Sequence, residues 1–378
     1  MNTKKTTALL LLSFLVILSL ACSSVSGLVA TPTPQPTSTF TPTPPPTQTP
    51  TPEGPRAANG DTIVASIGNL KLSNELYTHP NGFVSFYPME DWELTSDSFY
   101  VNMTEPNGNV VYTFTAINTG YELDSAAFEQ FRINDELLYT FQEQYNEINS
   151  GSNPAINLYF VEKSYIFEGI EFYVNTIYQQ IGSVIYITEA YGDINIFNPD
   201  PTNFYWVMFN SFTQTINVNS EIASDFPLYE WTWSYTADDA PASLNIPWHW
   251  SYDTDTTQNI AYFAAPDNKA GVNMLSMPTV KLVGEPGKKI AFDLSVTYLE
   301  STTSANDFVI SEVENFTAGE GTYIYSWSSE TIDISGITLL DTRVANKLVL
   351  VVIYSQNDVY DIYANTLGSI GDSYFLEQ

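Results

Sequence analysis

The sequence predicts an α+β protein of two similar domains, each a central antiparallel sheet packed with helices, set behind a signal peptide and a disordered Thr/Pro stalk. Three observations carry this expectation. The chain opens on a basic head and an apolar run that end at its lone cysteine, and a proline-alternating tract follows. Beyond residue 60 one plan of strands, helix, strands and final helix runs twice. Prolines that mark corresponding turns lie 18 residues apart in the first run (Pro88, Pro106) and 19 in the second (Pro247, Pro266).

Lys4 and Lys5 form the basic head, Ala8 to Leu20 the apolar run, and Leu18-Ser19-Leu20-Ala21-Cys22 its close. A membrane span needs roughly 20 apolar residues, whereas a signal h-region needs about 7–15. The run fits the second, so residues 1–21 are expected to be removed. The order is similar to that of bacterial lipoprotein signals, which implies that Cys22 becomes a lipid-bearing first residue; a plain buried thiol is the duller alternative. The implied place is extracytoplasmic, on the outer face of the cytoplasmic membrane or the cell surface, held by the lipid anchor.

Residues 22–59 form the linker. Within it, residues 31–52 alternate threonine and proline; proline fixes φ and removes amide donors, which excludes helix and sheet. An extended spacer at about 3.1 Å per residue, roughly 60–70 Å if fully stretched, is the expected form.

The first domain is expected over 60–220 and the second over 221–378. The first begins with Thr62 to Ile67 and Gly82 to Trp92, the second with Trp231 to Tyr235 and Ala242 to Trp250. In both, a short alternating strand runs into a proline and a tryptophan follows closely. A turn comes next, Glu105 to Gly108 in one and Ala265 to Asn268 in the other. Asp124 offers a helix cap, and Phe128, Phe131, Leu138, Phe141, Tyr145 and Ile148 follow at mostly three- and four-residue steps, as an amphipathic helix requires. The second helix signal is shorter: Ile290, Leu294 and Tyr298 after Gly287. Strands return at Asn157 to Phe167, Ile170 to Gln180 and Val184 to Tyr191, matched by Thr322 to Trp327, Gly336 to Arg343 and Lys347 to Tyr354. Helices Thr202 to Phe212 and Asp358 to Leu367 close the copies, and the hinge is placed near Asn217 to Phe226.

The segment Tyr77-Thr78-His79-Pro80-Asn81-Gly82-Phe83-Val84-Ser85-Phe86-Tyr87-Pro88 with Trp92 resembles the opening of PsbP-like (Mog1/PsbP) domains. The second copy departs, with Asn245 and Ile246 before its proline. The resemblance implies an antiparallel sheet covered by helices and a non-enzymatic binding or assembly role, without naming a ligand.

Composition narrows function further. The formal charge is −31, from 12 Lys+Arg against 43 Asp+Glu. Nucleic-acid backbones and anionic lipids are held by clustered bases, and Lys288-Lys289 is the densest pair after the signal, so nucleic acid is excluded as a partner. A single cysteine permits no internal disulfide. His79 and His249 are isolated in sequence, which points to packing roles and away from catalysis or zinc. No nucleophile elbow, phosphate loop or zinc helix motif is present, and no cofactor or metal is implied. Asp253-Thr254-Asp255 starts like a calcium loop but lacks the glycine and the closing glutamate.

The tryptophans are the remaining candidates. Trp231 and Trp233 alternate on one strand, and Trp248 and Trp250 would do so if the strand passed Pro247. Exposed, they would be a ligand-binding stripe for a glycan or protein partner; the polar alternation of Thr232 and Ser234 favours burial instead. The leading expectation is a lipid-anchored binding or envelope-assembly module without catalysis. A carbohydrate-binding surface protein comes next, and a carboxylate glycan hydrolase last.

Overall fold

The computed structural model describes residues 71–377 apart from 304. The signal run, Cys22, the stalk and the expected strand at Thr62 to Ile67 therefore lie outside the described residues. Among the described residues no helix is long and apolar enough to cross a membrane.

The first half opens with β1 (Tyr77–Thr78), β2 (Val84–Phe86), β3 (Glu93–Ser96), β4 (Tyr100–Thr104) and β5 (Val110–Asn118). Helix α1 (Ser125–Thr140) follows, then β6 (Glu143–Asn153), β7 (Leu158–Phe167), β8 (Ile170–Ile181), β9 (Val184–Asp193), α2 (Phe204–Thr213) and β10 (Asn217–Val218). After the short α3 (Ser220–Ala223), the second half runs β11 (Thr232–Thr236), β12 (Ala242–Pro247), β13 (Ser251–Asp255), β14 (Ile260–Ala264) and β15 (Ala270–Pro278). It continues with α4 (Gly284–Thr303), β16 (Val309–Ile310), β17 (Glu314–Asn315), β18 (Thr322–Ser329), β19 (Ile334–Asp341), β20 (Lys347–Gln356), α5 (Tyr360–Asp372) and β21 (Phe375–Leu376).

Strand order repeats. The large sheets read β3-β4-β5-β9-β8-β7-β6 and β13-β14-β15-β20-β19-β18-β16, all antiparallel, and the small ones β1-β2-β10 and β11-β12-β21. The expected α+β class, two similar halves with a central antiparallel sheet and packed helices, is the observed architecture.

Register makes the halves comparable residue by residue. The same turn bond precedes β5 and β15: Glu105 N donates to Val110 O, and Ala265 N to Ala270 O, 2.9 Å each. From there Val110 faces Gly192, Gly192 faces Tyr173 and Tyr173 faces Ser164. In the second half Ala270 faces Ser355, Ser355 faces Ser335 and Ser335 faces Ser328. Counting along the strands then pairs Lys163 with Trp327, Glu162 with Ser326, Thr176 with Thr338, Tyr178 with Leu340 and Glu189 with Val352.

Three expectations are corrected. Asp124 does cap α1, accepting from the amides of Ala126 and Ala127, but the helix ends at Thr140. Tyr145 and Ile148 belong to β6, which pairs with β7 through two register shifts; three- and four-residue spacing also describes a bulged strand, and only the partner strand distinguishes the two. The second helix is long, Gly284–Thr303, and buries Gly287, Ala291, Ser295, Tyr298 and Leu299, while Ile290 is exposed. Ser295 meets Tyr325 Oη at 2.8 Å, Ala291 packs in the cluster with Tyr325 and Trp327, and Gly287 lies against Leu282, so the apolar periodicity that marks most helices is muted. The stretch expected as a hinge is β10 and α3: Val218 pairs with Val84, and Ala223 is buried in the first half's core.

The halves share a core. One cluster joins Ile117, Phe131, Val161, Tyr178 and Ile187 of the first half to Leu244, Ile246, Trp250, Phe263, Val351 and Tyr363 of the second. Separate cores lie on the outer faces, under α2 in one half and under α4 in the other. At the joint Gly120 has φ +84°, and a Cβ there would meet Ile362 Cγ2 at 2.5 Å, so glycine is required both for the turn and for the approach of α5.

Candidate functional site

Two places hold chemistry. The first is a buried ladder of ionisable groups between α1 and its sheet, at the joint of the halves. Lys163, fully buried, donates to Glu136 Oε2 at 2.7 Å and Thr176 Oγ1 at 3.1 Å, and its ammonium lies 3.6 Å from the Tyr139 ring centre. Thr176 and Tyr139 each donate to Glu189 Oε2 at 2.8 Å. Tyr178 Oη lies 2.6 Å from both Asp135 Oδ2 and Glu136 Oε1. Asp135 Oδ1 meets His249 Nε2 at 3.0 Å, and Asn134 Nδ2 donates to His249 O at 2.8 Å. The His249 ring stacks flat on Phe131, 4.2 Å between centres. Its Nδ1 is buried without a partner.

Burial alone would raise Asp135, but hydrogen bonds from His249 and Tyr178 and the Lys163 charge outweigh it and hold the carboxyl below its usual value. Glu189 goes the other way: burial dominates, and its carboxyl is raised despite Lys163, Tyr139 and Thr176. A raised folded-state acid favours the protonated form, so its contribution to stability is greatest below the ordinary carboxyl range and declines as pH rises towards the folded value. Asp135 contributes oppositely, with stability present above that range and lost as pH falls through its lowered value. Glu189→Gln keeps an acceptor for Thr176 and Tyr139 and removes the desolvated charge. It should therefore gain stability over wild type at pH 8 relative to pH 4, read from urea midpoints at about those two values. An unchanged pH slope would refute the assignment.

The fold itself does not demand this ladder. At the paired positions the second half carries Trp327, Leu340 and Val352, all buried. Trp327 Nε1 donates to Thr338 Oγ1 at 3.0 Å, where Lys163 donates to Thr176. Burying ions is costly and apolar substitutes are often no worse; of the ladder only Asp135, with Asn134 beside it, reaches the second half, at His249. Neither sequence motif nor spacing marked the charges; the one available signal was the Glu162-Lys163 pair between the apolar runs of β7.

The second place is an open cleft of about 590 Å³ on the second half, between β18–β19 and α5. Its floor carries Ser326, Ser328, Ser335 and Ile337, and its helical wall Tyr360, Ala364 and Gly368. The first half fills the matching place. Tyr173, paired with Ser335, donates to Glu162 Oε1 at 2.8 Å, and Trp206 Nε1 donates to the same oxygen at 3.2 Å. Sequence reading missed the cleft because serines on a strand look like ordinary solvent-facing positions.

The tryptophans are scattered in their surroundings. Trp231 precedes β11, is 39% exposed and meets Tyr100 of the first half edge-on at 5.9 Å. Trp248 lies opposite it, donating its amide to Trp231 O. Trp233 is half-buried against Tyr235, Tyr252 and Phe263. Trp250 is 2% exposed, packed with Tyr229 and Tyr363. Strand β12 stops at Pro247, so Trp248 and Trp250 do not alternate on a strand. Both histidines are buried; His79 is held by Asn81 Oδ1 and Asp97 O, 2.6 Å each. Asp255 is occupied in its own turn, accepting from Thr257 and Gln258. Among the described residues no three His, Cys, Asp or Glu side chains gather as a metal site.

No protein-family profile and no curated protein matches this sequence. Similar solved structures include PsbP of Synechocystis sp. PCC 6803, 10% identical over 39% of this chain and 92% of that one, with a TM-score of 0.31. The Ran-binding protein Mog1p of Saccharomyces cerevisiae is 6% identical over 40% and 99%, with a TM-score of 0.32. LpqN of Mycobacterium tuberculosis, involved in cell envelope biogenesis, is 11% identical over 40% and 92%, with a TM-score of 0.27. These include the PsbP-like and Mog1 structures that the opening motif resembles, while the α+β architecture stated above stands on this chain's own strand order and register.

Proposed function

We propose that this chain is a lipid-anchored, extracytoplasmic binding or envelope-assembly module without catalysis, and that its ligand lies in the cleft of the second half. The cleft carries this reading: it is a recess of small-ligand size in the half whose counterpart is plugged by Tyr173, Glu162 and Trp206. The ionisable ladder is sealed under α1, where it orients the halves and does not meet a substrate. Cys22 and the Thr/Pro tract would hold the folded part on a membrane at a distance.

Two measurements test the two parts. Cys22→Ala should abolish incorporation of a palmitate analogue and release the chain from the membrane fraction; persistent label would reject the anchor. Immobilised wild-type chain should retain envelope components that a Ser335→Tyr chain, plugged as the first half is, does not. Equal retention by both would reject the cleft as the binding face.

A further inference from the structure

We infer that the cleft takes a neutral, hydroxyl-rich ligand of the oligosaccharide class, an inference that rests on the cleft being the ligand face. The register supplies the first argument. Where the first half places a phenol, a carboxylate and an indole that satisfy one another, the second places Ser335 and Ser326, and with Ser328 they line the floor as hydroxyls. Apolar residues would have closed the same space more cheaply. Ser326 and Ser328 can donate and accept, while Ser335, which donates to Asn357 Oδ1 at 2.6 Å, keeps its accepting capacity.

Charge supplies the second. No lysine, arginine or histidine lines the cleft, and its one ionisable acid is the exposed Asp361. In a chain of net charge −31, a phosphate, sulfate or carboxylate ligand would meet repulsion with no fixed cation to offset it. An acyl chain is disfavoured for another reason: Ser335 Oγ already donates to Asn357 Oδ1, but an acyl chain would still cover Ser326 and Ser328 without offering them a hydrogen-bond partner. The serines stand on the face of the sheet, and only the two-residue edge strand β16 (Val309–Ile310) borders the cleft, a short template for a strand-adding peptide.

Shape supplies the third. Ile337, Ile353 and Leu367 give an aliphatic base beside the hydroxyls, and Tyr360, 47% exposed, stands at the helical wall. Sugar rings present the matching combination, with C–H faces that lie on aliphatic and aromatic surfaces and a rim of hydroxyl groups.

The test is calorimetric titration of the full chain with maltotetraose, cellotetraose and chitotetraose, and in parallel with dodecanoate and an uncharged tetrapeptide. At least one sugar should bind, and Ser335→Tyr should weaken it by about tenfold or more. Gly368→Phe is the second plugging variant, for use if Ser335→Tyr fails to fold; a Cβ there meets nothing within 4 Å, so the new side chain starts from open space. Sugar binding untouched by a folded plugging variant would overturn both the ligand class and the cleft. Binding of dodecanoate or the peptide that is sensitive to plugging, with no sugar bound, would overturn the class and leave the cleft as the ligand face. No heat with any of the three sugars would likewise overturn the class.

Discussion

Lys163→Ala is expected to lower the stability of the folded chain by about 3–5 kcal/mol, the cost of stranding a buried charge. Lys163 is fully buried and its ammonium is the cation held between Glu136 and Thr176, with Glu189 one hydrogen bond further on. Truncation removes that cation and leaves the Glu136 carboxyl, 6% exposed, without its partner. Replacing the set together should behave differently. Lys163→Met with Glu136→Gln and Glu189→Gln is expected to recover most of the loss, because the second half builds the paired surface from Trp327, Leu340 and Val352 and neutral substitutes for buried ion pairs are often tolerated. Urea denaturation of the three proteins decides the matter. A single mutant within about 1 kcal/mol of wild type would show that the ladder is solvated or open.

Phe131→Ala should cost about 3–5 kcal/mol, as large-to-small changes of buried aromatics do, and should separate the unfolding of the two halves. Phe131 is fully buried on α1 and carries the stacked ring of His249 from the other half. The helix neighbours it positions, Asn134 and Asp135, make the hydrogen bonds to His249. Wild type, with one core cluster running through both halves, should unfold in a single transition whether followed by tryptophan fluorescence or by far-ultraviolet circular dichroism. In Phe131→Ala the two probes should part. Two separate transitions already in wild type would contradict the shared core.

Much of the fold was legible because it depends on local chemistry. Six of the long strands (β7, β8, β9, β18, β19 and β20), the Asp124 cap and the closing helices lie within a few residues of their expected places, since alternation, capping and turn residues act over short distances. The failures have a common cause. Spacing over Phe141, Tyr145 and Ile148 suits a helix or a bulged strand, and pairing with β7 chose the strand. Gly287, Ala291 and Ser295 do not look like a helix's buried face until Leu282 is seen against the glycine and Tyr325 against the serine. The condition set for Trp248 and Trp250, a strand running past Pro247, is not met, since β12 ends at Pro247.

The sequence by itself determined the class of fold, the near-repeat of its plan and the acidic charge balance, all of which follow from composition and short-range pattern. Only the tertiary structure decided which residues act together. Asp135 and His249 are 114 positions apart, and Tyr173 and Ser335 are comparable only through hydrogen-bond register across three strands. Burial and pairing are properties of the packed chain: a lysine is a solvated surface group or the centre of a buried network according to what α1 covers, and a serine is a plain strand residue or the floor of a cleft according to what fills the space beside it.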